Sequence, residues 1–140
     1  MRPLFYYTLI FLCCSHSLLA QKIHSEDLFQ SPLNLPFSFS GNFGEVRPSH
    51  FHTGLDFRTQ GRTGIPVCAV KDGYISRISV SPTGYGNVLY INHKDGKTTV
   101  YGHLERFAPK ISDYVRERQY YTESFQVNLT LSPGEFDVKK

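Results

Sequence analysis

The stretch of sequence that decides the fold is residues 88–104, which read VLYINHKDGKTTVYGHL. Two runs rich in β-branched and aromatic residues, 88–93 and 98–104, flank the tetrapeptide KDGK at residues 94–97. This pattern predicts two antiparallel strands joined by a tight turn. Residues 74–80 form a similar run between two turn signals. The sequence therefore predicts an all-β domain built mostly from antiparallel sheet.

Residues 109–123 depart from the β pattern. Ile111 and Val115 recur at helical spacing, with charged residues around them, and Pro109 suits the first turn of a helix. We therefore expect a short helical insertion in the β domain. Residues 31–40 instead alternate apolar and polar side chains, which favours a half-buried strand or an extended lead-in to the domain.

The first residues indicate export. Arg2 precedes an apolar run at residues 4–14 that is too short to span a bilayer, and Ala20 supplies the small residue expected at a cleavage site. An uncleaved membrane anchor is the alternative interpretation. The predicted organisation is a signal peptide over residues 1–20, a polar tether over 21–30 and the folded domain over 31–140.

Charge and cysteine content exclude several classes of protein. The 140 residues carry a formal net charge of only +3 and contain no dense run of Lys and Arg, so nothing indicates nucleic-acid binding. If the signal peptide is removed, Cys68 is the only cysteine left and no internal disulfide can form. Cys68 stands among apolar residues, which predicts an inert core residue rather than a nucleophile that pairs with His103.

The residues best suited to chemistry lie in the nonapeptide SHFHTGLDF at residues 49–57. His52 and Asp56 offer an imidazole and a carboxylate, which zinc binds at about 2.0–2.2 Å. In a straight strand these residues would share a face but lie about 13 Å apart, so convergence requires a bend, which Gly54 permits. His50 has the same parity and is a candidate extra ligand or supporting partner. The spacing alone fits a metal site and a hydrogen-bonded surface pair equally well.

Two further histidines come at the ends of predicted strands. His103 ends the run 98–104, where a strand would hold a site residue rigidly. By itself, however, its position is that of an ordinary strand-end histidine. His93 ends the run 88–93, and we predict a structural role for it beside the hairpin.

Five short segments occur along the chain in an order typical of one protein family. They are GNFG at residues 41–44, HTGLD at 52–56, GIPVCAVKDG at 64–73, GYGNVLYINH at 84–93 and TVYGHL at 99–104. Their order and spacing resemble the LytM/lysostaphin-type zinc metalloendopeptidases. The resemblance implies a mostly antiparallel β fold with one zinc in a groove. It also implies His52 and Asp56 as zinc ligands and His103 as a catalytic residue outside the metal shell.

The same resemblance implies a substrate and a location. Members of this family hydrolyse peptide bonds of bacterial peptidoglycan, so we expect an exported zinc endopeptidase in the periplasm or cell envelope. The sequence departs from the family pattern at one important point. The third zinc ligand of the family is the second His of a His-x-His motif whose first His is catalytic, and no His follows His103 in these 140 residues. A smaller departure is Gly102, where Ala is common.

The missing motif leaves two interpretations of the chain. It is either the N-terminal portion of a longer peptidase, truncated at its C-terminus, which we favour, or a complete and degenerate protein. With only His52 and Asp56 as ligands, we expect weak zinc binding and an inactive fragment. A non-catalytic LytM-like module that binds the wall or activates a separate hydrolase is the alternative function. A third is a β binding domain without metal.

Overall fold

Residues 28–140 are described by a computed structural model, and within them the chain forms seven strands and one helix. The elements are β1 (Phe39–Gly41), β2 (Asp56–Phe57), β3 (Gly73–Val80), β4 (Asn87–His93), β5 (Thr98–Leu104), α1 (Pro109–Tyr121), β6 (Val127–Thr130) and β7 (Asp137–Val138). Five strands form one antiparallel sheet, in which β5, β4, β3 and β6 are neighbours in that order and β7 also pairs with β3. Strands β1 and β2 form a separate antiparallel pair. The predicted all-β class is confirmed.

The centre of the sheet is a meander of β3, β4 and β5. Between β4 and β5 the His93 N–H donates to the Lys97 carbonyl at 2.9 Å, and Gly96 adopts a φ of +78°. Glycine adopts that conformation without steric cost, so the KDGK turn sets the register that places Asn92 opposite Thr98. The three strands predicted from the sequence are each found to within one residue at either end.

One apolar core joins helix α1 to the sheet. Its buried side chains are Ile75, Ile78, Val80, Ile91, Phe107, Ile111, Val115, Val127 and Leu131. Burying a side chain of this kind contributes about 1.5–3 kcal/mol, so the helix is an integral part of the domain. The predicted helical insertion is therefore present, with Pro109 in its first turn and its end at Tyr121. Within the described part of the chain, no helix is long and apolar enough to cross a membrane.

Of the two structures considered for residues 31–40, the lead-in to the domain is found, with a strand only at its end, because Pro32 and Pro36 lack the N–H that a sheet ladder needs. A second expectation about the periphery of the domain is wrong. Cys68 is exposed rather than buried. Its segment forms no strand, and the Cys68 N–H donates to the Pro32 carbonyl at 2.8 Å. The apolar residues around Cys68 therefore line a cleft instead of entering the core.

The signal peptide predicted over residues 1–20 and most of the tether predicted over 21–30 lie outside the described residues. The end of that tether is packed against the domain. The backbone N–H of Gln30 donates to the Val70 carbonyl at 2.8 Å, and its side-chain amide donates to the Ala69 carbonyl at 2.7 Å. Residue 30 is therefore part of the folded domain.

Candidate metal centre

The candidate site begins with a tight turn over residues 44–52. The N–H groups of Gly44 and His52 donate to the carbonyls of His52 and Glu45 at 2.7 and 2.8 Å. These bonds fix the backbone on which the His52 side chain is carried. The chain then bends at Gly54 before β2 begins.

The bend brings together the side chains of His52 and Asp56. His52 Nε2 lies 3.2 Å from Asp56 Oδ1. A straight strand would separate the two residues by about 13 Å. The two residues predicted as metal ligands are thus neighbours in space, as they must be if they are to bind one ion together.

A backbone carbonyl orients the His52 ring. His52 Nδ1 lies 3.0 Å from the carbonyl oxygen of Asn42. A carbonyl can only accept a hydrogen bond, so Nδ1 carries the proton, and in the neutral ring Nε2 presents a lone pair to Asp56. A lone pair and a carboxylate oxygen repel each other unless a proton or a cation lies between them. The arrangement is the one expected of a histidine held for metal binding by a hydrogen bond at its other nitrogen.

The donor geometry fits a tetrahedral metal ion. Four ligand atoms about 2.0 Å from a central ion lie about 3.3 Å from one another. The observed separation of 3.2 Å between His52 Nε2 and Asp56 Oδ1 matches one edge of such a tetrahedron. Nitrogen and carboxylate oxygen are also the donors that zinc prefers. Among residues 28–140, no group of three His, Cys, Asp or Glu side chains comes together as a complete set of ligands.

The second oxygen of Asp56 is bound by Arg47. Arg47 Nη2 donates to Asp56 Oδ2 at 2.7 Å and to Glu45 Oε2 at 2.9 Å. The hydrogen bond to Asp56 raises the pKa of Arg47 above its usual value, so the guanidinium stays charged. Asp56 therefore has one oxygen directed toward His52 and the other occupied by a fixed cation.

His103 lies at the end of β5 with an unusual backbone conformation. Its φ is +56°, which is uncommon for a residue with a side chain and is often associated with functional sites. The His103 N–H donates to the Tyr85 carbonyl at 2.8 Å, and the two rings meet edge to face with centroids 6.0 Å apart. His103 and Asp56 both line one cleft of about 1220 Å³. The predicted catalytic residue thus shares a cavity with Asp56, one member of the predicted ligand pair.

The other candidate residues are not brought to the pair. His50 lies in the 44–52 turn with its Nδ1 3.2 Å from Ser49 Oγ. His93 is 6% exposed and its two ring nitrogens bond the Asp72 carbonyl and Thr99 Oγ1 at 2.9 and 2.8 Å. This is the structural role predicted for it.

Cys68 also lines the cleft, but in the described part of the chain no hydrogen bond joins it to His103.

Three residues of the site had no role in the sequence-based prediction. Asn42 was part of a family motif, but nothing indicated that its carbonyl would orient His52. Tyr85 was likewise part of a family motif without a role of its own, and Arg47 was not singled out, because the contacts of both depend on how the turns fold. The charge of Arg47, five residues before His52, is a signal that could have identified it.

Comparison with known proteins agrees with the family resemblance. The family described as "Peptidase family M23" matches residues 50–125. The DD-carboxypeptidase/endopeptidase Mpg of Neisseria meningitidis serogroup B is 40% identical over 57 residues, which cover 41% of this chain and 13% of the relative. The protein of the same name from Neisseria gonorrhoeae matches to the same extent.

A more distant relative extends the match. An uncharacterized metalloprotease of Haemophilus influenzae is 28% identical over 90 residues, which cover 64% of this chain and 18% of the relative. The chain therefore spans less than a fifth of the length of these curated relatives. No solved structure matches the chain.

Proposed function

This chain belongs to peptidase family M23, and from that membership we propose that it supplies His52 and Asp56 to the zinc centre of an exported endopeptidase that cleaves peptidoglycan. The single observation that carries the proposal is the 3.2 Å separation of His52 Nε2 and Asp56 Oδ1, with the histidine oriented through Nδ1. The names of the Neisseria relatives, which include carboxypeptidase and endopeptidase, support peptide hydrolysis.

Each residue has a distinct part in the proposed reaction. His52 Nε2 and Asp56 Oδ1 would hold the ion, and a bound zinc would supply Lewis acidity to the scissile carbonyl and lower the pKa of the attacking water. His103, in the same cleft, is suited to orient the reacting groups or to stabilise charge that develops in the transition state. The apolar rim of the cleft, which includes Leu55 and Val100, suits an extended peptide.

A non-catalytic LytM-like module remains the second candidate function. The observation that favours it is that His52 and Asp56 converge without a third ligand among residues 28–140. A catalytic zinc ordinarily has three protein ligands, so we expect these 140 residues to bind zinc weakly and to hydrolyse little on their own. Such a module would bind peptidoglycan, or activate a separate wall hydrolase, through the same cleft.

Zinc titration of the full chain tests the ligand assignment. We expect His52→Ala to lower zinc affinity at least tenfold, because it removes one of the two ligands. His50→Ala is the matched control, since it removes a histidine two residues away that does not meet Asp56. The measurement is competition with a chromogenic chelator. Equal zinc affinity of His52→Ala and the unchanged chain would refute the assignment.

Incubation with purified peptidoglycan separates the two candidate functions. Release of new amino termini that stops when zinc is chelated would support the endopeptidase. It would also mean that these 140 residues are sufficient for turnover. Sedimentation with peptidoglycan without any release would support the binding module. The absence of both release and sedimentation would contradict a direct action of these residues on the wall.

A further inference from the structure

The two oxygens of Asp56 have different partners, and this difference limits how Asp56 can bind an ion. Oδ1 faces His52 Nε2 at 3.2 Å, and Oδ2 accepts from Arg47 Nη2 at 2.7 Å. A free aspartate can rotate about its last torsion and exchange its oxygens or bind an ion with both. An aspartate whose second oxygen is held by a guanidinium can offer only one.

Gly41 makes room for this arrangement. It is paired with Asp56 across the β1–β2 ladder and is buried. A Cβ atom at this position would overlap both Asp56 Oδ2 and Arg47 Nη2 and would lie 3.0 Å from Glu45 Oε2. The absence of a side chain on β1 therefore allows Arg47 to reach Asp56 from the side opposite His52.

Arg47 is held in this position from two directions. Its Nη2 also bonds Glu45 Oε2 at 2.9 Å, and its backbone N–H donates to the His50 carbonyl at 2.9 Å within the 44–52 turn. Its Nε is the one buried side-chain polar atom without a partner among residues 28–140. The guanidinium therefore bonds both carboxylates through Nη2, while its Nε–H is left without an acceptor.

We propose that Arg47, admitted by Gly41 and steadied by Glu45, is a positioning residue that restricts Asp56 to binding the metal through Oδ1 alone. The inference rests on the proposed function, because it concerns the same metal pair. Supporting partners of this kind typically change metal affinity 10- to 100-fold when they are removed. In this proposal Arg47 acts through Asp56 and is itself neither a ligand nor a catalytic residue.

Substitution of Arg47 in the full chain tests this inference. We expect Arg47→Met to lower zinc affinity 10- to 100-fold in chelator competition, and to change the visible spectrum of the cobalt-loaded chain, which reports the number of coordinating oxygens. Gly41→Ala should act in the same direction, since its Cβ would displace both the guanidinium and Asp56 Oδ2. Arg58→Met is the matched control, because Arg58 has the same charge next to β2 but bonds the Phe39 carbonyl instead; its zinc affinity and cobalt spectrum should be unchanged.

A purely structural role makes a different pattern. If Arg47 only ties the turn to β2, Arg47→Met would lower the melting temperature of the metal-free chain while leaving the cobalt spectrum and zinc affinity as they were, and the inference would be overturned. Should Arg47→Met fail to fold, Arg47→Gln decides, because it keeps a polar side chain in the turn but removes the guanidinium that bonds Asp56 Oδ2. A cobalt spectrum and zinc affinity identical to those of the unchanged chain would then overturn the inference.

The two proposals fail in distinguishable ways. If His52→Ala abolishes zinc uptake and Arg47→Met does not alter it, only the positioning role is wrong. If zinc uptake is indifferent to His52→Ala, the metal pair is wrong and the role of Arg47 is overturned with it.

Discussion

The five-stranded sheet and the segment that carries His52 and Asp56 are stabilised in different ways. In the sheet, Ile75 and Ile78 are no more than 1% exposed and pack against helix α1. In residues 41–57 the large apolar side chains Phe43 and Phe51 are 74% and 66% exposed, and hydrogen bonds and the ion pairs of Arg47 position His52 and Asp56. The fold and the site therefore depend on separable interactions, and a substitution can damage one with little effect on the other.

The largest expected effect is on the sheet. Ile78→Ala removes a fully buried side chain at the centre of β3 and should lower the free energy of unfolding by about 2–5 kcal/mol. Urea unfolding followed by far-UV circular dichroism measures the loss. Val100→Ala is the matched control, because that apolar side chain is exposed on β5. Equal losses in the two variants would contradict the assignment of the core.

An intermediate effect is expected at the side chain of His103, with little change in the stability of the sheet. A Cβ atom on Gly102 would approach Tyr85 Cδ1 to 2.9 Å. The Tyr85 ring is half exposed and can give way, so Gly102→Ala should change the free energy of unfolding by no more than about 0.5 kcal/mol. The displaced ring should shift the imidazole resonances of His103 in an NMR spectrum and leave those of His52 in place. Shifts at His52 as large as those at His103 would show that the two sites are coupled.

The smallest expected effect concerns the turn between β4 and β5. Hydrogen bonds from Lys97, which has the larger effect, and from Lys71 hold the pKa of Asp95 well below its ordinary value. A carboxylate with a lowered pKa stabilises the fold above its unfolded pKa, which is about 3.9, and loses that contribution as the pH falls. Asp95→Asn should therefore be slightly less stable than the unchanged chain at pH 7, with the difference shrinking below about pH 4. Urea unfolding at pH 7 and pH 3 measures it; a difference that grows at pH 3 would contradict the sign.

The sequence was most informative where contacts are local. The β4–β5 hairpin was predictable because its two strands and the KDGK turn are adjacent in the chain, and helix α1 was predictable from the spacing of Ile111 and Val115. The convergence of His52 and Asp56 was also accessible, since their spacing demanded a bend that Gly54 could supply. Each of these conclusions follows from geometry within a few residues.

The remaining features depend on contacts between distant residues. Asn42 is ten residues from His52, and Tyr85 is 18 residues from His103, so neither support could be seen before the loops were placed. Cys68 was predicted to be buried from its apolar neighbours, but composition does not tell whether an apolar run enters a core or lines a cleft. The role proposed for Arg47 could not be predicted, because it depends on which oxygen of Asp56 faces His52.

The contact between Tyr85 and His103 has a consequence for how this protein can diverge. Among residues 28–140, the side chains of His52 and Asp56 are bonded by Asn42 and Arg47, whereas His103 is contacted by Tyr85, in the loop between β3 and β4. Replacing the aromatic ring at position 85 can therefore re-aim His103 while the contacts of His52 and Asp56 stay in place. Under the proposed function, exchange of one loop residue would be a short evolutionary route to a new substrate preference at constant metal affinity.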